Sequence, residues 1–546
     1  MTGTAALARL AARRDRVTLP LWVYVVGIIP VSFAVTFGRL YPSAADRARF
    51  AATSAGDGAL TALYGRLSGS SLGELSVWRG GFLPVVTGLF SLLVVIRHTR
   101  TEEEAGRREL IGSTAVSRQA GLAAALIVAF AANLGTALIT GVALSVRHLP
   151  VAGSFAAGLE WAATGLVFAA VGAVAAQLTT GAGAARGIGA VALAAAYAAR
   201  ILGDRGGSGA PGGSGGSLEW LSWVSPIGLT QRIAPFAGPS GAGRWWVLAV
   251  VAAEVAVLVA VACALAARRD VGAGLLPDRL GPPAGSPGLG TPTALAWRLH
   301  RGLAAGWLAG FALLGLVFGG VASGVPGLVG DNQGVRDVID RLGGQAGIID
   351  AYLSLVMSLL GLIAAGYTVQ AVLRPRAEEA AGRAETVLAS AVSRPRWAAS
   401  HLVFGLGGPA LAVLAAGTVT GLVYGLSNSG RSAGGTGHET VRGLADAAMQ
   451  LPAIAVLAGL TLALYGLAPR LWAASWGALG VCALVSLVGA GLDLSHWLLD
   501  VSPFTHTGRG PGGSVAALPL VVLSLVALVL AAAGLAGLRR RDIPSG

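Results

Sequence analysis

The most densely charged residues of the chain occur twice. Residues 100–118 read RTEEEAGRRELIGSTAVSR and residues 376–394 read RAEEAAGRAETVLASAVSR; aligned without a gap at an offset of 276, they share eleven of nineteen positions. Agreement of this kind marks a duplication. Thr101 and Glu104 have the T-x-x-E spacing of a capping box, and Glu102, Glu103 and Glu104 put negative charge where a helix dipole is positive, with Arg107 and Arg108 later in the turn sequence. In the second copy Ala377, Ala380, Ala381, Ala384, Val387, Leu388 and Ala391 recur at the helical period and leave Glu378, Glu379, Arg383 and Glu385 on the other face. Each segment is therefore expected as an amphipathic helix. A solvated helix with ion pairs worth about 0.2–0.5 kcal/mol each is the plain reading. Retention of Glu102, Glu103, Arg107 and Glu109 as Glu378, Glu379, Arg383 and Glu385 argues instead for two equivalent docking faces on a symmetric partner.

Other chemistry is hard to find. Cys263 and Cys482 sit singly in apolar runs, which excludes a disulfide framework and a Cys/His metal site. His438-Glu439 has Arg442 where a zincin needs its second histidine, and Gly181-Ala182-Gly183 meets Arg186 where a dinucleotide loop needs glycine. All 39 basic residues are arginine, so the lysine of a phosphate-binding P-loop is missing. No catalytic residue, metal or cofactor is expected in this chain. Polar residues inside apolar runs are few: Asn133, Gln177, Arg200 and Glu254, with Glu160 at the opening of another run. A charge at bilayer depth costs about 2.5–3.5 kcal/mol, so these residues either line a substrate path or bond neighbouring helices.

The elements that must position these groups follow from composition. The 546 residues are 54% hydrophobic and only 12% charged, which excludes a water-soluble enzyme and an intrinsically disordered chain. Apolar runs near 19–37, 80–97, 119–146, 156–179, 184–202, 245–267, 302–323, 350–373, 396–426, 441–468, 470–491 and 514–538 can each cross about 30 Å of hydrocarbon as a helix. The fold class expected is an all-α polytopic membrane protein of about twelve spans. The short gaps inside 156–202 and 441–491 leave room for re-entrant hairpins there. The run from Leu19 to Phe37, preceded by Arg9, Arg13, Arg14 and Arg16, is expected as an uncleaved first span.

With the N-terminus in the cytoplasm, 24 of the 39 arginines fall on that side, the positive-inside bias of a plasma-membrane protein with both termini cytoplasmic. The net charge of +13 is thus a topology signal, since the arginines flank apolar runs and form no stripe suited to nucleic acid. The Pro/Gly-rich stretch 271–293 divides the chain into halves, 1–270 and 294–546. Further echoes support the division: Trp220-Leu221 and Ser225-Pro226 answer Trp497-Leu498 and Ser502-Pro503, and Arg268-Arg269-Asp270 answers Arg540-Arg541-Asp542. Six spans per half make the repeats parallel. Gly203 to Ser217 reads as a flexible outer loop.

The order of elements resembles that of ABC-2 type transporter permeases. In each half a basic lead-in, a span and an outer loop precede a second span, an EE-x-x-GR-x-E…VSR segment and a third span. Three more spans follow, with a Ser-Pro turn before the last and Arg-Arg-Asp after it. The doubled form is similar to permeases that export polyketide antibiotics and to actinobacterial multidrug efflux permeases. The resemblance implies that the charged segments are cytoplasmic coupling helices on which two copies of a separately encoded ATPase dock, that the Trp-Leu…Ser-Pro segments are short outer re-entrant pieces, and that cargo passes between the halves. ATP and Mg would then be bound by the partner. Glu104 and Arg108 correspond to Ala380 and Ala384, so the two docking sites are expected to be unequal. The function read from this is export of a small hydrophobic or amphipathic compound, a drug or antibiotic, from a lipid membrane. The alternative is a twelve-span carrier driven by an ion or proton gradient, with Glu254 as the proton carrier.

Overall fold

The structure is a computed structural model that describes residues 2–56, 58–206, 218–238, 243–276, 283–322, 344–428, 435–488, 496–507 and 517–541. Residues 207–217 of the Gly/Ser tract, 277–282 of the linker and Asp542 lie outside this set. Regular structure among the described residues is entirely helical, as backbone groups in hydrocarbon require. The chain divides into two compact units, Met1–Gly281 and Pro282–Gly546.

Eleven helices among the described residues are long and apolar enough to span a membrane. In the first unit they are Thr18–Leu40, Leu83–His98 running on into Arg100–Glu104, Ala120–Val146, Val151–Leu178, Ala182–Gly206 and Trp246–Arg268. In the second they are Pro292–Ala322, Gly344–Val372, Arg394–Ser427, Gly435–Leu467 and Ala517–Arg540. The polytopic all-α class is what the apolar runs require. Within the run 470–491 the described residues form the 15-residue helix Ala474–Val488, about 22 Å long, and residues 489–495 are outside the described set.

The fourth span of the first unit, Val151–Leu178, is the most enclosed, with the second, third and sixth spans packed around it. Close approach depends on small residues. A Cβ on Gly158 would stand 2.3 Å from the Ala137 carbonyl oxygen, and in the second unit one on Gly466 would stand 2.2 Å from that of Gly534. Here the glycine and alanine crowding of the spans serves backbone packing.

Between the first and second spans the expected loop is instead three helices, Ala44–Ala55, Gly58–Tyr64 and Leu72–Arg79. The last begins with a full capping box: the Glu74 N–H donates to Ser71 Oγ at 3.2 Å and the Ser71 N–H to Glu74 Oε2 at 3.0 Å. The Ser-Pro echo has a local cause. Ser225 caps the helix Pro226–Gln231 and donates to Ala196 O of the fifth span at 2.6 Å, while Ser502 opens the turn Pro503–His506 and lies 3.0 Å from Ser486 on Ala474–Val488.

Candidate functional site

The repeated charged segment is not one continuous helix. In the first unit it folds as Arg100–Glu104 and Arg107–Gly112, and in the second as Arg374–Ala380 and Arg383–Leu388. The break falls at Gly106 and Gly382, which take φ of +68° and +69°, the left-handed region that glycine enters at least cost. We call each broken pair an elbow. Nor does the capping box form: Thr101 lies inside its helix, and Thr99 at the N-cap accepts no capping bond through its side chain.

The break resets the helical phase and sorts the repeated charges into three roles. Glu102 and Glu378 close the elbow on itself. Arg107 donates to Glu102 from Nε at 2.7 Å and Nη2 at 2.8 Å, and Arg383 donates to Glu378 from the same atoms at 2.6 and 3.2 Å. Arg14 joins Glu102 at 2.8 Å, and Arg374 joins Glu378 at 3.0 Å. The bond to Glu102 raises the Arg107 guanidinium above its ordinary value.

Glu103 and Glu379 turn inward. Glu103, its side chain 1% exposed, accepts from Arg269 Nη2 at 2.8 Å and Nη1 at 2.9 Å and from Arg100 Nη1 at 2.6 Å, and forms an ion pair with Arg108 at 3.0 Å. Burial lowers the Arg108 guanidinium from its usual value. Glu379 accepts from Arg541 Nη2 at 2.8 Å and from the Tyr465 hydroxyl. Arg269 and Arg541 follow the last spans Trp246–Arg268 and Ala517–Arg540. Their carbonyl oxygens accept from Arg118 and Arg394, the arginines that end the two VSR motifs. In both units, therefore, the elbow carboxylate grips the side chain at the end of the last span while the VSR arginine caps its backbone, a favourable place for a cation.

Only the third group faces outward. Arg107 and Glu109 in the first elbow, and Arg383 and Glu385 in the second, are exposed. Glu103, Glu378 and Glu379 are held inside their own unit, their side chains 1%, 7% and 8% exposed and bonded to its arginines. Glu102 is only partly exposed, its side chain at 18%.

The departures between copies also have physical causes. Glu104 accepts from the Ala182 N–H at 2.8 Å and so caps the fifth span, a bond that Ala380 cannot make. Arg108 reaches Glu103 and the Arg118 carbonyl oxygen, whereas Ala384 is simply buried. A cavity of about 490 Å³ opens beside the first elbow, lined by Leu10, Arg14, Glu102, Arg107, Arg108 and Val116 among others.

Three of the four polar residues named in the spans bond neighbouring segments. Asn133 donates to Ser91 Oγ at 2.8 Å, joining the third and second spans. Gln177 accepts from Arg269 Nε at 2.7 Å at the elbow end of the unit. Arg200 donates to the carbonyl oxygens of Thr61 and Ala62 and lies over the Tyr197 ring at 4.5 Å. Glu254 stands apart, half-buried on the sixth span. The residues that sequence reasoning passed over are Arg269, Arg541 and Tyr465. The Arg-Arg-Asp echo was the available signal for the first two; nothing local marks Tyr465.

Residues 289–539 match the family described as the C-terminal domain of the multidrug efflux system permease Rv1217c. The multidrug efflux system permease protein Rv1217c of Mycobacterium tuberculosis is 41% identical over 543 residues, covering 99% of this chain and 95% of that protein.

Proposed function

Because the chain belongs to the family of this mycobacterial multidrug efflux system permease, we propose that it is the membrane-spanning subunit of an ATP-driven exporter of the ABC-2 kind, carrying both transmembrane halves in one polypeptide. Two copies of a separate ATPase subunit, which bind ATP and Mg, dock on the exposed faces of the elbows from the cytoplasm, and both termini lie on that side. The cargo is a hydrophobic or amphipathic drug moved out across the plasma membrane.

The observation that carries this reading is the duplicated grip between elbow and last span, Glu103 on Arg269 and Glu379 on Arg541. Each elbow runs directly from the second span, leads into the third, and is clamped to the last. A push on one exposed turn moves three spans together, which is how closure of a partner's nucleotide site would be converted into switched access. Arg107, Glu109, Arg383 and Glu385 are the charges that meet the partner. Exchanging a rim charge typically alters association more than folding.

The test is charge reversal where the charge is exposed. Glu109→Lys with Glu385→Lys is expected to release the co-purifying ATPase and abolish vanadate-sensitive drug export, with the melting temperature of the permease unchanged. Retained export, or export by the purified chain alone on an ion gradient, overturns the proposal and favours a gradient-driven carrier.

A further inference from the structure

The helix that leads into the first span, Thr4–Arg14, is short, basic and amphipathic. Such a helix lies at the boundary between headgroups and acyl chains. Here it is fixed at both ends. At its start the Ser117 N–H donates to Thr2 O at 3.1 Å; at its end the buried Asp15 lies 2.7 Å from His98 Nε2 and pairs with Arg97 at 2.9 Å, at the foot of the second span. Ala11 belongs to one apolar cluster with Leu122 and Leu126 of the third span. The helix is therefore a standing wall of the 490 Å³ cavity beside the first elbow.

Four arginines, Arg14, Arg107, Arg108 and Arg118, and one carboxylate, Glu102, reach the lining of that cavity. Charge around it is out of balance. Arg14 Nη1 and Arg107 Nε both donate to the same oxygen, Glu102 Oε2, at 2.8 and 2.7 Å. Arg108 pairs with Glu103, which Arg100 and Arg269 also hold. Five guanidiniums thus share two carboxylates. Arg14 gives Glu102 one N–H, its side chain is 41% exposed, and a guanidinium carries several further donors. Beside these charges the lining is apolar, with Leu7, Leu10, Ile111 and Val116. A Cβ on Gly112, another lining residue, would meet nothing within 4 Å, so there is free space on that side.

We propose that this cavity holds one anionic phospholipid of the leaflet that meets the elbows. Its phosphate joins Arg14, where two guanidiniums crowd one carboxylate oxygen, and an acyl chain runs along Leu10, Ile111 and Val116. Basic pockets between span ends recognise anionic headgroups through this pairing of surplus cations with apolar walls. The lipid ties the lead-in helix to the elbow, so the resting position of the elbow depends on the anionic content of the leaflet. In the second unit the lead-in residues are part of the continuous helix Pro292–Ala322 and Ala384 stands in the place of Arg108, so one lipid per chain is expected. This site goes beyond the exporter reading and requires no partner subunit.

Native mass spectrometry of the purified full chain, with dioleoyl phosphatidylglycerol or dioleoyl phosphatidylcholine added to the detergent, counts the lipid retained. One phosphatidylglycerol per chain, without a matching phosphatidylcholine, is expected. Arg14→Gln is expected to weaken phosphatidylglycerol binding roughly tenfold, the size of one charge-assisted hydrogen bond. Arg13→Gln, the same charge change one residue away and off the cavity lining, is expected to leave binding unchanged. Gly112→Leu fills the apolar side, alters no charge and is expected to weaken binding by a similar factor; it carries the test where Arg14→Gln loosens the lead-in helix. Equal retention of the two lipids, equal loss with Arg13→Gln and Arg14→Gln, or undiminished binding by Gly112→Leu overturns the assignment. Displacement of the lipid by millimolar glycerol phosphate also overturns it, since the site would then belong to a water-soluble phosphate ester.

Discussion

Replacing Glu103 by glutamine removes one charge and almost no volume, which isolates the electrostatic part of the elbow clamp. The carboxylate accepts three hydrogen bonds from two guanidiniums at 2.6 to 2.9 Å and pairs with a third, Arg108, at 3.0 Å; the Arg100 and Arg269 side chains are 0% and 6% exposed. Without it, two buried cations face each other with no neutralising group. Breaking a buried pair in this way costs about 3–5 kcal/mol. Glu379 holds a single guanidinium and one hydroxyl, and Arg541 keeps its bond to Tyr465 O at 3.1 Å, so Glu379→Gln is expected to cost less, about 1.5–3 kcal/mol. At about 2 °C per kcal/mol for a unit of this size, thermal melts of the purified full chain in neutral detergent should fall by roughly 6–10 °C for Glu103→Gln. Arg269→Gln leaves Glu103 with Arg100 and Arg108. The double variant Glu103→Gln with Arg269→Gln should then be more stable than the sum of the singles by about 1–3 kcal/mol. A Glu103→Gln chain melting within about 1 °C of the parent, or an additive double-variant cycle, would refute the clamp.

Two further changes test the elbow independently. Gly106→Ala and Gly382→Ala force a side chain into the left-handed region and should each destabilise by about 1–2 kcal/mol, whereas asparagine at either position should recover part of the loss; chemical denaturation of the purified chain measures both. Glu104→Ala removes the acceptor at the start of the fifth span and should cost about 0.5–2 kcal/mol, while Ala380→Glu should give no comparable gain, since the second unit gets by without that bond; hydrogen exchange at the Ala182 amide distinguishes a lost cap from a general loosening.

The spans were legible because hydrocarbon imposes a single rule on the backbone, and a run of about 20 apolar residues can obey it only as a helix. The run 470–491 is interrupted near its start: Pro469 to Leu471 forms a short 3-10 turn, and the described helix begins at Ala474. The helices at 44–79 were missed although Ser71 and Glu74 have capping-box spacing, because no long apolar run marks them.

The sequence by itself determined that the chain is duplicated, that its helices belong in a membrane, and that the charges of the two 19-residue segments matter in pairs. Which way each charge points was decided by the tertiary structure. A helical period carried across Gly106 puts Glu103 and Arg107 on a common face, but a positive φ at that glycine resets the phase, so that one residue is sealed inside and the other exposed. The partner of Glu103 is 166 residues away in the chain and that of Glu379 is 162 away. Pairs so distant meet only when the last span has packed against its unit, because the attraction between charges is short in range beside the length of chain that must first be folded.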